Sequence, residues 1–594
     1  MFKSLLRTMG MYKQFRARLV VSQVLVLISA TAIIGVASLN QRLINEGIEA
    51  GDVEAILSTG MWMLLLAVIS GVCLAGTAYF AVFFSQGTGY YVRSYLYRRI
   101  QTFSFGNFDR FRTGDMLVRL NADVVNIQNA LLYMTLLLLY APFMLLITYV
   151  LTIINTPSLL LVLVIVTVVV LGVMALLIPQ VFRAYDERQQ RLDDMNNTMQ
   201  ENLAGVRVVK AFVREDYEVE RFDQRADALR KPAYTAAVRV AFLAPMLTGI
   251  TQLGIVLSLW VGGQQVLSGS GLNVGELVTF TQYMSLIVAP LAMLAIVFPF
   301  MLRGDASASR IFEVYDDIPT VQDREDAQPP EAETVGGQVV FDNVSFAFRR
   351  PDGELDPPVL KNINLTIEPG EQMGFLGATG AGKSALVNLI PRFYDVTEGS
   401  ITIDGVDVRD VPQDNLRQIV GIALQEAVLF QGDLRFNLKF GAPETEDDVM
   451  FDAAKAADSY GFVTNIPQKW EAPVAQRGAN FSGGQRQRLS ITRALTTQPK
   501  VLILDDSTSA LDASTEGRVQ EAIPDFTDNI TTLCVAQRIS AVIDLDKIVL
   551  LENGEIVAMG NHEELLESSP LYQEIYESQL GSGITAGLDV EVEK

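Results

Sequence analysis

Two short runs of small and polar residues carry the chemistry of this 594-residue chain. The first is Gly377, Ala378, Thr379, Gly380, Ala381, Gly382, Lys383 and Ser384, which fits the pattern G-x-x-x-x-G-K-[ST]. Glycines so spaced let backbone N–H groups turn inward around phosphate oxygens, at a helix N-terminus whose dipole favours negative charge. Lys383 is placed to reach the outer phosphates and Ser384 to hold Mg2+. The residues before it, Gln372–Leu376, suit a short buried strand, and those after it, Ala385–Ile390, open a helix. A glycine-rich turn of no consequence would not need that context, so the run implies a nucleoside triphosphate site. The second run, Phe481, Ser482, Gly483, Gly484 and Gln485, also opens a helix and makes another N-terminus able to hold an anion. One domain needs a single cradle for its own nucleotide, so the second points to a phosphate carried by another domain. Downstream, the apolar strand Val501–Leu504 runs straight into Asp505 and Asp506. A carboxylate at a strand end beside a phosphate loop is placed to hold Mg2+ through water.

The elements that must position these groups divide the chain. Residues 339–577 alternate strand and helix signals, as an α/β domain does. Ahead of them, 316–338 is acidic, contains prolines and lacks an apolar period, which makes it a linker; 578–594 is a short acidic tail expected to be disordered. Residues 1–315 hold six apolar segments: Leu19–Leu39, Met61–Phe84, two within the uncharged run Val124–Phe182 broken at Asn155–Ser158, Val240–Gly275, and Leu277–Leu302. Each is long enough to cross about 30 Å of hydrocarbon as a helix. A soluble six-helix bundle would need charged outer faces that these segments lack. Hydrophobic residues make up 49% of the chain and its mean hydropathy is +0.27, high for a protein that also carries a hydrophilic domain. Prolines 142, 245, 290 and 299 fall inside spans, where kinks are tolerated if neighbours satisfy the freed carbonyls.

Charge orients the spans. The N-terminus and the connections Arg93–Arg119 and Arg183–Arg239 are rich in Arg and Lys, whereas Asn40–Ser58 has only Arg42 against Glu46, Glu49, Asp52 and Glu54. By the positive-inside rule both termini are cytoplasmic. Two segments of the long cytoplasmic connections, Phe108–Asp123 and Glu201–Phe212, are helical in pattern with one apolar face, as if the spans continued into the cytoplasm. The net charge of −22 argues against a nucleic-acid partner. Cys73 and Cys534, far apart and in apolar runs, suggest neither a disulfide framework nor a metal centre. The basic, amphipathic residues 1–20 show no cleavage pattern of a signal peptide.

Taken whole, the chain resembles the half-transporters of the ATP-binding cassette (ABC) exporters: six membrane helices extended into the cytoplasm, fused to an α/β phosphate-loop domain. The matching motifs are the phosphate loop Gly377–Ser384, the glutamine loop at Gln425, the signature Phe481–Gln485, the magnesium strand Val501–Asp505 and the turn Ser509–Asp512. The resemblance implies a dimer in which each of two ATP molecules, with Mg2+, lies between one chain's phosphate loop and the other's signature. It implies that Phe348 stacks on adenine where the family has a tyrosine, that Gln425 and Asp505 join Ser384 at the metal, and that Asp512 belongs to the nucleotide-facing set. The two cytoplasmic segments look like coupling helices, the second crossing to the partner cassette.

Two departures stand out. Asp506 occupies the place of the glutamate that orients or deprotonates the attacking water, and Gln537 that of a histidine at the γ-phosphate; the sole histidine, His562, lies elsewhere. Asp506 is one methylene shorter, and a glutamine cannot carry a proton. Gln476 also replaces a usual glutamate two residues before Gly478. Both changes in one otherwise intact site point to the degenerate chain of a bacterial heterodimeric multidrug-type exporter in the plasma membrane. An ATP-gated, non-transporting regulatory subunit and a slow homodimeric exporter are the alternatives. The spans' Tyr79, Phe80, Phe83, Phe84, Met134, Met246, Met284, Phe298, Gln252 and Gln282, with no charge at mid-depth, would suit a hydrophobic drug or lipid. Single cysteines introduced in Asn40–Ser58 should label from outside the cell and those in Arg183–Arg239 only after permeabilisation; reversed labelling would invert the topology.

Overall fold

The computed structural model describes residues 2–11, 16–269, 271–330, 335–350, 353–511, 513–526 and 530–579. They fall into two compact units, one of residues up to Gln101 plus Gly114–Asp317, the other of Thr102–Thr113 plus everything from Ile318.

The first unit contains six helical stretches apolar enough to span a membrane: Arg16–Glu49, Val53–Gln101, Thr113–Asn155, Pro157–Ala204, Glu215–Ser268 and Val274–Tyr315. The last five run 42–54 residues, well beyond the ~20 that cross a bilayer, so they extend past it as expected. The most apolar windows of the six are only 17–33% buried, with side chains such as Leu64, Val72, Leu161 and Val168 left exposed. Apolar surface of that extent is at home only against lipid. Of the four prolines expected to kink spans, Pro142 alone breaks the helix: Val124–Leu137 stops and Tyr140–Asn155 starts, because Pro142 has no N–H to offer the carbonyl of Leu138. Pro245, Pro290 and Pro299 sit within continuous helices.

Ion pairs fasten the charged ends of this unit. Arg310 binds Asp123, whose carboxylate is buried, through two bonds at 2.5 and 3.0 Å, and Arg119 reaches Glu313 at 2.9 Å, tying the third span to the sixth. The N-terminal helix Lys3–Met11 buries Leu5 and sets Arg7 across Phe312 at 4.0 Å, with two bonds to Asp316 at 2.6 and 2.7 Å. Between the fourth and fifth spans lies the short helix Val206–Ala211, with none of its residues buried and Val208, Phe212 and Val213 exposed around it.

The second unit is built on a six-stranded sheet with the spatial order Glu555–Gly560, Lys547–Glu552, Gln372–Leu376, Thr531–Val535, Val501–Asp505, Val420–Ala423. All its neighbours pair parallel except the first two. An antiparallel sheet of Leu360–Ile367, Val339–Phe346, Glu398–Ile403 and Val406–Asp407 covers one side, enclosing a core that includes Phe341, Met373, Leu386, Ile503 and Leu533. On the other face Leu376, Leu502, Leu504 and Cys534 pack against helices Gly483–Thr496, Ala513–Phe526 and Pro570–Gln579. Cys534 is buried and its thiol is pushed up to about 12, so it is inert.

The first of the two cytoplasmic-type segments, expected at Phe108–Asp123, starts earlier than the sequence suggests. A short helix spans Phe105–Arg110, while Thr113–Asp123 joins the third span. The start is set by Ser104, which caps the helix reciprocally with Asn107; the Asn107 amide also donates to the Ile318 carbonyl at 2.9 Å. Phe105 stacks on Phe393 with centroids 4.2 Å apart, and the Tyr394 hydroxyl donates to Asp109 at 2.8 Å. Burial and the Asp109 charge both raise the Tyr394 phenol's pKa, so it stays a donor. In the second segment, residues up to Ala204 continue the fourth span and Gly205 separates them from Val206–Ala211. Residues 322–324 of the expected linker are held by side-chain bonds: Arg392, itself buried, donates to the Gln322 carbonyl at 2.8 Å, Gln413 to Asp323 at 3.0 Å, and Arg324 pairs with Asp410. Phe105→Ala should loosen the short helix by about 1–2 kcal/mol, the value of a part-exposed aromatic stack and its area. The expected readout is faster trypsin cleavage at Arg110 and Arg112 with cassette melting unchanged.

Candidate functional site

Strand register builds the site. Asp505 pairs opposite Val535, Val535 opposite Phe375, and Leu504 opposite Ala423, so four adjacent parallel strands end at one level. Ligands of open α/β sheets bind beyond such carboxyl ends. Here the ends lead into the phosphate loop, Gln537, Asp506 and Gln425.

The phosphate loop follows the strand Gln372–Leu376 and precedes the helix Lys383–Leu389. A Cβ on Gly377 would lie 2.3 Å from the Leu551 carbonyl oxygen, and Gly382 takes a φ of +102°; only glycine meets both demands. The Lys383 ammonium is turned into the loop, donating to the carbonyls of Gly377 at 2.7 Å and Ala378 at 3.0 Å. Burial lowers its pKa, and the charges of Asp506 and Asp505 partly restore it. Ser384 donates to Asp505 Oδ1 at 2.8 Å. Burial raises the Asp505 carboxyl's pKa, Ser384 opposes this, Asp506 adds to it and Lys383 opposes it. A buried carboxylate beside a hydroxyl is a hard-oxygen donor pair suited to Mg2+. Among the described residues no group of three His, Cys, Asp or Glu side chains could hold a metal ion.

Asp506 is drawn into a polar knot. Its backbone takes a φ of +47°, in the left-handed region that Asp tolerates better than most residues, and its N–H donates to the Val535 carbonyl at 3.0 Å. Its Oδ2 accepts from the Gln425 amide at 3.1 Å and the Gln537 amide at 3.2 Å. Thr379, Gly380, Gly382, Lys383, Ser384, Gln425, Asp506 and Gln537 border a cleft of about 260 Å³. Phe348 borders it too, edge-on to Phe346 and Tyr394 at 4.9 and 5.4 Å. Ala381 is buried beneath the loop.

The signature residues do not line that cleft. Ser482 caps helix Gly483–Thr496, accepting from the Gln485 N–H at 3.2 Å while the Gln485 side chain accepts from the Ser482 N–H at 2.9 Å. Gly483 has room for a side chain, its Cβ meeting only Ala510 Cβ at 3.7 Å; at Gly484 the Ala510 carbonyl would be 3.1 Å away. Gln487, which no motif marked, joins this helix to the next turn by accepting from the Ala510 N–H at 2.9 Å. Asp512 lies outside the described residues. The span residues named for a substrate do not form one lining: Phe84, Met134 and Met284 are buried in helix packing, while Tyr79, Phe83 and Met246 are exposed.

A phosphate cradle, a magnesium-type carboxylate and a separate glycine signature, on a cassette fused to six spans, define a nucleotide-driven membrane transporter. Residues 19–291 match the ABC transporter transmembrane region and 360–509 the ABC transporter domain. The chain is 35% identical to an uncharacterised ABC transporter ATP-binding protein, YfiB, of Bacillus subtilis, over 91% of this chain and 92% of that protein. It is 32% identical to an ATP-dependent lipid A-core flippase of Syntrophus aciditrophicus, over 97% and 94%. It is 36% identical to a putative multidrug export ATP-binding/permease protein of Staphylococcus aureus, over 66% and 67%. The fold is shared with a bacterial Atm1-family ABC exporter solved with ATP bound, at a TM-score of 0.75 and 23% identity, over 96% of this chain and 99% of that one. The chain belongs to the ABC transporters: it is an integral membrane protein, an exporter half whose cassette binds nucleotide and couples its hydrolysis to transport. Exporters of this family work as dimers.

The raised Asp505 pKa has a consequence for pH. Cation binding needs the ionised carboxylate, so affinity for Mg-nucleotide should fall as pH drops through that raised pKa, beyond the nucleotide's own titration. Titration calorimetry should find this extra acid limb in the wild type and not in Asp505→Asn.

Proposed function

We propose that this chain is one half of a heterodimeric exporter, that its own ATP site is degenerate, and that its signature completes the active site of an unlike partner. The carrying observation is the Asp506 carboxylate, one oxygen of which accepts amide hydrogens from both Gln425 and Gln537. A general base must be free to take a proton from water, and this one is short and already bonded. Gln537 can donate to phosphate but cannot supply positive charge. Binding groups are retained throughout: Gly377–Ser384 cradles the phosphates, Phe348 offers adenine an aromatic face, and Ser384, Asp505 and Gln425 suit Mg2+. Bound there, Mg2+ would neutralise phosphate charge.

Ser482–Gln485 and Asp512 then face the partner's nucleotide, and the exposed apolar residues around Val206–Ala211 meet the partner's cassette. The proposed arrangement places residues 1–315 in the plasma membrane with both termini cytoplasmic, joined by 316–338 to the cassette 339–577. Its cargo is hydrophobic or amphipathic, in keeping with relatives named for multidrug export and lipid flipping.

Two substitutions separate this from a slow homodimer. Gly483→Asp sets a carboxylate against the partner's γ-phosphate, at a position with local room for it. It should nearly abolish the assembled pair's ATPase activity, with assembly and nucleotide binding checked first. Asp506→Asn should leave most of the activity. Equal silencing by both would mean that this chain's own site is catalytic, and a functional assembly of identical chains would exclude the unlike partner. Loss of ATP-dependent cargo uptake in liposomes that retain ATPase would favour the non-transporting alternative.

A further inference from the structure

The helix Pro570–Gln579 packs behind the nucleotide site. Tyr572 is wholly buried in the core cluster that also contains Ile539 and Val542, and Leu571 and Ile575 lie against that cluster. At the helix's end the Gln579 side chain reaches the backbone just past the strand Thr531–Val535. Its Oε1 accepts from the Ile539 N–H at 2.8 Å and its Nε2 donates to the Gln537 carbonyl at 3.1 Å. Bonds to the carbonyl of one residue and the N–H two residues on are those a parallel neighbouring strand makes. One primary amide thus stands in for a strand at the place where the chain leaves the sheet; Ala536, one residue earlier, still donates to the Phe375 carbonyl at 3.1 Å. The intervening Arg538 is held from the other side, donating to the Ser509 carbonyl at 2.8 Å. A cleft of about 300 Å³ on this side is bordered by Gly377–Thr379 of the phosphate loop and by Ile575 and Gln579.

We propose that Gln579 is a positioning residue for nucleotide recognition: it fixes the backbone at Gln537 so that the Gln537 amide stands at the γ-phosphate end of the site. The C-terminal helix is then part of what distinguishes ATP from ADP, through a residue that touches neither. The inference rests on the reading of Gln537 as a γ-phosphate contact. Without its two tethers the Gln537 backbone is free to drift from the geometry that aims its side chain at Asp506 and the cleft.

The test uses the full chain in lipid nanodiscs, with binding of the Mg2+ complexes of adenylyl imidodiphosphate and ADP measured side by side. Gln579→Ala should lower the triphosphate-to-diphosphate affinity ratio about 5- to 10-fold, the worth of the one hydrogen bond by which the Gln537 amide would hold the γ-phosphate, with ADP affinity unchanged. Gln579→Glu keeps the acceptor for Ile539 but sets a carboxylate against the Gln537 carbonyl, and should lower the ratio at least as far. Gln537→Ala should cause a similar loss, and combining it with Gln579→Ala should add little, because both act through one group. A ratio that falls in Gln537→Ala but holds in both Gln579 variants overturns the positioning role alone. An unchanged ratio in Gln537→Ala overturns the γ-phosphate reading and the proposal with it. Equal weakening of both nucleotides, with a lowered melting temperature, would make Gln579 merely structural and also overturn the proposal.

Discussion

Lateral hydrogen bonding among four parallel strands decides where the phosphate loop, Gln425, Asp505, Asp506 and Gln537 stand. Phe375, Val535 and Asp505 lie side by side in register, and Ala423 is opposite Leu504. A slip of one residue in any pairing would turn that strand's side chains to the opposite face and carry its loop out of line. The register is held by burial on both faces: Met373, Ile503 and Leu533 point into one core, Leu376, Leu502 and Cys534 into the other. The sheet can therefore carry an unfavourable assembly at the carboxyl ends of its strands, with a buried lysine, a carboxylate denied full solvation and a left-handed aspartate.

How much of this was legible depended on the range of the interaction that fixes it. The phosphate loop is a local device, and the strand Gln372–Leu376 and helix Lys383–Leu389 lie where its flanks place them. The spans were equally legible, because hydrocarbon imposes a length and a composition on each segment separately. Break points were less so: Pro142 interrupts its helix while Pro245, Pro290 and Pro299 do not, a difference that proline itself does not encode. The linker was visible by composition but its attachments were not, since Gln322, Asp323 and Arg324 bond to residues some 70–90 positions away. Ser104 with Asn107 lacks the usual acidic or glutamine partner of a capping box, so the start of the short helix Phe105–Arg110 went unmarked. Gln487 and Gln579 are lone amides in polar surroundings, and no periodicity singles them out.

The membrane half answers to a different constraint. Its helices leave apolar side chains outward and spend ionic groups at their charged ends, where Arg310 and Asp123, Arg119 and Glu313, and Arg7 and Asp316 join span to span or N-terminus to span. A buried carboxylate such as Asp123 is costly unless paired, so these contacts fix which helix ends travel together more than they add stability. The third span, the sixth span and the N-terminal helix are thereby bound at one end of the unit, and the exposed helix Val206–Ala211 at the end of the fourth is left unattached to them by any such pair among the described residues.

Asp506, Gln425 and Gln537 form a set whose logic is chemical. A glutamate at position 506 would extend farther toward the nucleotide, and a histidine at 537 could share a proton with it; with Asp and Gln, the shorter carboxylate meets two amides that can only donate hydrogen bonds to it. Both bonds fall on one oxygen, Oδ2, which leaves that oxygen with less capacity to accept from water. The same amides cost binding little, because phosphate oxygens accept amide hydrogens as readily as a carboxylate does. The groups that hold a nucleotide, namely the loop, Lys383, Ser384 and Asp505, are thus distinct from Asp506 and Gln537, the groups that would face the attacking water, and of those two only Gln537 has no proton to exchange.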